Sequence, residues 1–140
     1  ERKEGSLIVM FNHKIERDGL SILCKDVRYL MENKEYDICQ ERITEAMKVY
    51  PHAPQPHNLM GILLEKNGEH GNAMKHFRAA WALDPTYIPA RRNMERFCNL
   101  YPKGACAFDE SDCRKEDKRT RYEAVYDEYG VGHMVRKELA

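Results

Sequence analysis

Three cysteines in the last third of the chain are the residues with the clearest potential for metal chemistry. Cys98, Cys106 and Cys113 would supply thiolates, but structural zinc sites pair cysteines two to four residues apart, and the sequence has no such pair. Cys98 falls at an inward position of a helical pattern, and Cys24 and Cys39 lie within predicted helices. We interpret these thiols as small hydrophobic side chains and expect no metal and no other cofactor.

The histidines and carboxylates do not form a recognisable catalytic frame. His70 and His76 share no close helical spacing with another ligand, and the other histidines are scattered along the chain. The sequence also has no nucleophile elbow, no phosphate-binding loop and no paired carboxylates in a familiar frame. We therefore expect no catalytic residues and no enzymatic activity.

Length and charge restrict the classes of function. The chain has 140 residues, enough for one domain, and Lys+Arg and Asp+Glu both total 23. A balanced charge makes nucleic-acid binding a poor expectation. The longest apolar run, Leu7 to Phe11, is too short to span a membrane or to form the core of a signal peptide. With five irregularly spaced cysteines and no visible export signal, we expect a reducing cytosol.

The sequence resembles itself when it is shifted by 34 residues. Apolar and turn residues then coincide, and the aligned pairs are Leu30 with Leu64, Asn33 with Asn67, Glu35 with Glu69, Ala46 with Ala80, and Pro51 with Pro85. Each unit has the apolar periodicity of two helices, and in the second unit they cover residues 57–66 and 72–83. Asn67-Gly68 ends the first helix and Pro85 follows the second.

Small residues within the second unit mark the places where its helices approach each other. Gly61 and Ala73 are predicted to lie at the contact between the two helices, with Phe77 filling the space between them. Ala80 is predicted to contact the next helix along the chain. Replacement of Gly61 by a large side chain should therefore separate the paired helices.

This arrangement resembles the tetratricopeptide repeat (TPR) family. The residues that carry the resemblance are His57, Met60, Gly61, Leu64, Ala73, Phe77, Ala80 and Pro85. The repeat from Pro54 to Tyr87 matches well, whereas the one from Leu20 to Ala53 departs from the pattern at Asp26, Val27 and Cys39. The resemblance implies an all-α superhelix of antiparallel helix hairpins, closed by a capping helix from Ile88 to Tyr101.

The resemblance also implies a concave surface, lined by the first helix of each repeat, that binds a peptide or partner helix. Transferred position by position, the family pattern gives these partner-binding residues: Lys25, Arg28, Asn58, Ile62, Arg92, Asn93 and Arg96. Four of them are cations, so an acidic segment or a C-terminal carboxylate is the expected ligand. A chance cluster of exposed charges is the alternative, and as exposed charges these cations should contribute little to folding.

The two flanks carry less information. Residues 1–19 are expected to form an N-terminal arm or linker with a possible short strand, and residues 20–101 the repeats with their capping helix. Residues 102–140 are expected to form a C-terminal helical extension, with a helix from Asp109 to Tyr129. Its stripe of Tyr122, Val125, Tyr126 and Tyr129 would cover the end of the repeats.

The sequence thus predicts a non-catalytic protein–protein interaction module. Its partner would be a protein or peptide, with an acidic character, and homodimerisation through the arm or the last helix is a further expectation. Because the chain opens on Glu1, the alternative is a regulatory or oligomerisation domain of a larger enzyme or sensor protein. A third hypothesis is a redox-responsive or metal-responsive protein that uses the cysteines.

Overall fold

The computed structural model describes residues 2–100, 104–113 and 120–138. Over these residues the chain is mostly helical, with a short 3₁₀ turn and one two-stranded sheet towards its end. The elements are α1 (Arg2–Glu32), α2 (Tyr36–Val49), α3 (Pro54–Lys66), α4 (His70–Leu83), α5 (Ile88–Cys98), the 3₁₀ turn (Glu110–Asp112), β1 (Thr120–Tyr126) and β2 (Gly132–Glu138).

The backbone repeats itself at an interval of 34 residues. Helix α4 begins and ends 34 residues after α2, and α5 begins 34 residues after α3. The turn after α1 and the turn after α3 have the same hydrogen bonds, such as Glu35 N–H to Leu30 C=O and Glu69 N–H to Leu64 C=O, both 2.9 Å. Lys34 and Gly68 occupy the same place in the two turns, and both have positive φ. The 34-residue period seen in the sequence is therefore a period of the fold.

Proline and glycine explain where these helices begin and end. Helices α3 and α5 each carry a proline in their first turn, where the missing N–H has no partner to lose. Helix α3 ends at Asn67 and Gly68, and the φ of +80° at Gly68 is a conformation that glycine adopts without steric cost. These prolines and glycines limit the length of the helices, so that each helix turns back and packs against the previous one.

Each helix from α1 to α5 packs against the next one along the chain, and α3 also contacts both α1 and α5. The main core cluster lies among α1 to α4 and includes Val27, Ile43, Leu63 and Phe77, all 1% exposed or less. A smaller cluster joins Ala80 to Tyr87 and Ala90, which confirms the predicted contact of Ala80 with the next helix.

Gly61 allows α3 and α4 to approach closely. A Cβ atom added at Gly61 would lie 2.5 Å from Phe77 Cε1, well inside the closest distance that carbon atoms tolerate. Phe77 is itself fully buried and stacks on Phe97 of α5, with ring centroids 5.8 Å apart. The sequence prediction for Gly61 and Phe77 is thus confirmed.

The short strand expected within residues 1–19 is wrong in the described part of that range. Residues 2–19 belong to α1, which continues without interruption into the first repeat. A lone strand would leave its backbone groups without partners, whereas a helix satisfies them within itself and extends at low cost from the packed turns at Leu20 to Glu32. Leu7 to Phe11 are all more than half exposed on this helix.

The C-terminal helix predicted from Asp109 to Tyr129 is also wrong. Residues 110–112 form the 3₁₀ turn, and β1 pairs antiparallel with β2 in the register that places Val125 opposite His133. Asp127 fixes the connecting turn, because its carboxylate accepts hydrogen bonds from the amides of Tyr129 and Val131 at 2.9 and 3.0 Å. Gly130 follows the predicted helix in sequence and has positive φ within this turn.

The predicted role of the tyrosine stripe changes accordingly. Val125 is 48% exposed, Tyr126 71% and Tyr129 89%, so these side chains do not cover the helical repeats. The side chain of Tyr122 lies outside the described part of the chain. In the described helices, none has both the length and the apolar character that crossing a membrane would require.

Candidate functional site

A segment of the chain itself crosses the surface formed by α1, α3 and α5. Residues 104–113, which we call the return segment, follow α5 and run back over the predicted partner-binding residues. The contacts between this segment and the three helices define the candidate site.

Two buried asparagines hold the main chain of the return segment. Asn93 Nδ2 donates to the carbonyl oxygen of Ala107 at 2.7 Å, and Asn93 Oδ1 accepts from the Ala107 amide at 2.8 Å. Asn58 Nδ2 donates to the same carbonyl oxygen at 3.0 Å, and Asn58 Oδ1 accepts from Asn93 at 2.8 Å. The two side-chain amides therefore bind both backbone hydrogen-bonding groups of residue 107.

Arg96 holds the beginning of the return segment. Its Nε and one terminal nitrogen donate to the carbonyl oxygen of Gly104 at 3.0 and 2.6 Å. The other terminal nitrogen lies 3.6 Å from the sulfur of Cys106, and the guanidinium stacks over the ring of Phe97. Stacking against Phe97 of its own helix thus orients Arg96 to donate hydrogen bonds to a backbone carbonyl oxygen.

Arg28 and Arg92 hold the acidic end of the return segment. Arg28 forms an ion pair with Asp112, lies 3.6 Å from a carboxylate oxygen of Asp109, and stacks over the ring of Phe108. Arg92 donates to the carbonyl oxygen of Asp112 at 3.3 Å. The carboxylate of Asp112 also accepts from the Phe108 amide at 2.9 Å, so one acidic side chain shapes the turn and binds the arginine.

An open cavity of about 550 Å³ adjoins the return segment on the side of α1. Lys25 lies there, exposed, while Cys24 beside it is 1% exposed. Burial, together with the nearby carboxylate of Asp109, raises the pKa of the Cys24 thiol from 9.0 to about 12. Other residues that line the cavity are Arg17, Leu20, Gln55, Asp84, Tyr87 and Glu110.

The structure therefore brings most of the predicted partner-binding residues to one segment. Arg28, Asn58, Arg92, Asn93 and Arg96 all contact residues 104–113. The sixth predicted residue, Lys25, lies at the adjoining cavity, and the seventh, Ile62, is fully buried in the core cluster and faces no open surface.

The sequence analysis missed the return segment as the occupant of this surface. Asp109, Glu110 and Asp112 lie at the start of the helix predicted from Asp109 to Tyr129, and their charge is opposite to that of the groove arginines. This complementarity of charge was the signal available in the sequence.

A second feature that the sequence analysis missed is a contact between two histidines. His57 of α3 and His76 of α4 lie with their Nδ1 atoms 3.2 Å apart and their rings stacked, with centroids 5.4 Å apart. Both are half-buried, and burial lowers the pKa of each below its ordinary value of 6.5. One ring donates to the other only while at least one of the two is neutral.

The cysteines do not come together in the described part of the chain. Cys98 is exposed, which corrects its predicted inward position, whereas Cys24 and Cys39 are buried as predicted. All five are free thiols. Among the described residues, no three His, Cys, Asp or Glu side chains are placed as a metal ion would need.

Comparison of the chain with protein-family models, with curated proteins and with solved structures finds no match. The assignment of a function therefore depends on the geometry of this site.

Proposed function

We propose that the chain is a non-catalytic protein-interaction module of the TPR kind. Its helix hairpins would form a concave groove along α1, α3 and α5, and the groove would bind an extended segment of a partner protein. The 34-residue period of the helices and turns supports the repeat assignment. Free cysteines in a chain of this kind fit a reducing compartment such as the cytosol.

The observation that carries the proposal is the paired hydrogen bonding of Asn58 and Asn93 to one peptide unit. Side-chain amides that are fully buried and aimed at a main chain recognise extended peptide with little dependence on its sequence. The surrounding arginines then select acidic segments through charge-assisted hydrogen bonds. No residue of this arrangement needs to perform chemistry.

A selection experiment tests the proposal without knowledge of the partner. The folded full chain is exposed to a library of random displayed peptides, and the chain with Asn93→Ala serves as the counter-screen. We expect enrichment of acidic peptides that bind the wild-type chain and fail to bind the variant. Failure to enrich any peptide, or equal binding to both chains, would contradict the groove.

A second candidate function is that of an association domain within a larger assembly. It is favoured by the exposed apolar side chains of α1, such as Leu7, Met10, Phe11 and Ile15, each more than half exposed. Sedimentation of the chain over a range of concentrations tests it, with Phe11→Ser as the variant. A monomer at every concentration would exclude self-association through this part of α1.

A further inference from the structure

We propose that the return segment is a built-in ligand of the groove, and that the external partner is an acidic peptide of the same chemistry which must displace it. Such a peptide has a small residue held by its main chain, an aromatic residue directly after it, and carboxylates two and five residues after it. This inference rests on the proposed function and adds to it the identity of the competitor and the pattern of the ligand.

The manner in which Ala107 is held supports a ligand rather than an ordinary loop. Its amide and its carbonyl group both bind side chains of distant helices. Its own side chain is 1% exposed, so the site accommodates a small residue and excludes a large one. These contacts would form equally well with a peptide that is not covalently attached to α5.

The charges of the segment and of the groove are complementary. Residues 104–113 contain three carboxylates and no cation, and the side chains that contact them include three arginines. Phe108 adds an aromatic ring that packs against the core and against the guanidinium of Arg28. The pattern of the expected partner follows from these contacts.

The segment is also held in a way that permits local opening. Its apolar burial comes from the half-buried side chains of Cys106 and Phe108 and from the small side chain of Ala107, and the remaining contacts are mostly polar. Contacts with little apolar burial open at a lower free energy than a packed core.

Because the segment follows α5 closely in sequence, its effective concentration at the groove is high, on the order of millimolar for a short link. An external peptide must therefore compete, and its apparent affinity falls by the fraction of chains that are open.

An opened variant of the full chain, Ala107→Pro with Phe108→Ala, provides the test. The two substitutions remove the amide donor and the aromatic ring of the internal segment and leave all groove residues intact. The probe is a fluorescent decapeptide with the sequence of residues 104–113. We expect the opened variant to bind it at least tenfold more tightly than the wild-type chain, with binding lost when Asn93→Ala is added. A decapeptide N-methylated at the position of Ala107 lacks the donor to Asn93 and should not bind.

Two results would overturn the inference on the variant. One is a folded opened variant that binds the decapeptide no better than the wild-type chain does. The other is equal binding of the N-methylated peptide. If the opened variant binds library-selected peptides through Asn93 but not this decapeptide, the built-in ligand is excluded while the proposed function stands. If it binds no peptide at all, both fail.

A measurement on the wild-type chain keeps the inference testable if the opened variant does not fold. Amide hydrogen exchange is followed with and without a saturating concentration of the decapeptide. We expect the amide of Ala107 to lose its protection when the peptide displaces the segment, while the amides of α3 and α5 remain protected. Unchanged protection of Ala107 at saturation would overturn the inference. So would a wild-type dimer that dissociates with Asn93→Ala, because the groove would then hold the segment of a second copy.

Discussion

Asn93 binds both backbone hydrogen-bonding groups of Ala107, its Nδ2 donating at 2.7 Å and its Oδ1 accepting at 2.8 Å. The two residues lie on different elements, so this contact couples the stability of α5 to the position of the return segment. A buried amide that loses such a partner cannot form a replacement hydrogen bond with water. The free energy of unfolding then decreases.

Substitution of Asn93 should therefore destabilise the chain. Asn93→Ala leaves the Ala107 N–H and the Asn58 Oδ1 without their partner, and we expect a loss of about 1–3 kcal/mol in the free energy of unfolding. Asn99→Ala is the matched control, because Asn99 is exposed and its side chain donates to the carbonyl oxygen of Glu95 at the end of its own helix. Urea denaturation of the three proteins checks the difference. Equal losses for both variants would show that the amide pair has no special role.

Gly61 and Gly71 provide a second matched pair. A methyl group at Gly61 would overlap the ring of Phe77, whereas one at Gly71 meets nothing within 4 Å. We expect Gly61→Ala to cost about 1–3 kcal/mol by overpacking, and Gly71→Ala to be neutral or to stabilise α4 by up to about 1 kcal/mol. The melting temperatures of both variants check this prediction. A Gly61→Ala protein with the melting temperature of the wild type would contradict the close contact between Gly61 and Phe77.

The sequence allowed prediction of the paired helices and of their 34-residue period, because both depend on local patterns. The small residue at Gly61 and the proline at Pro54 act within one or two turns of helix, and the 34-residue period follows from the repetition of such local signals. Five of the predicted partner-binding residues contact one segment, since the repeat fixes which helix faces lie together.

What covers that surface could not be predicted from the same patterns. The acidic run at Asp109 to Asp112 suits the start of a helix as well as a contact with arginines, and only tertiary contacts separate the two. The residues around Tyr126 and Gly130 show helical spacing, yet their aromatic and β-branched side chains also suit strands. Pairing with β2 satisfies the backbone of β1, and β2 lies beyond Tyr129, outside the range of the predicted helix.

Arg28 should contribute to folding, in contrast to the expectation that the groove cations are exposed and weak. Its side chain is 32% exposed and contacts Asp112, Asp109 and the ring of Phe108. We expect Arg28→Glu to cost about 1–3 kcal/mol, a range that covers a lost hydrogen bond to a charged partner. Lys25→Glu, at an exposed position on the same helix, should change stability by less than about 0.5 kcal/mol. Chemical denaturation at low and at high salt gives the change in the free energy of unfolding for each variant. Equal changes for both variants would show that Arg28 contributes no more to folding than an exposed charge does.

The histidine pair should make stability depend on pH. Burial lowers the folded-state pKa of His57 and His76 below 6.5, so between the folded and unfolded values the unfolded chain binds more protons. The stabilising contribution of the neutral pair is therefore present above about pH 6.5 and is lost as the pH falls below it. Unfolding measured from pH 7.5 to 5.5 should show this loss, and it should be smaller for His57→Phe with His76→Phe. His70→Gln is the control, because His70 is exposed and contacts Glu65. The assignment to His57 and His76 would be contradicted if His70→Gln reduced the pH dependence of the free energy of unfolding and the double variant left it unchanged.

The reactivity of Cys24 should report whether the return segment is in place. The thiolate is the reactive form of cysteine, and the pKa of about 12 keeps Cys24 protonated at pH 8. Its burial also restricts access, whereas Cys98 is exposed, so iodoacetamide should modify Cys98 first.

Displacement of the segment removes the carboxylate of Asp109 from the neighbourhood of Cys24 and uncovers the adjoining cavity. We therefore expect the opened variant to be modified at Cys24 at least about tenfold faster than the wild type. Cys39 is the internal control: it is fully buried and the pKa of its thiol is also raised by burial, but with Glu35 rather than Asp109 beside it. Mass spectrometry of the modified peptides separates the three sites. Acceleration at Cys24 with Cys39 unchanged indicates local opening at the groove, whereas equal acceleration at both would mean that the variant loosens the whole helical core.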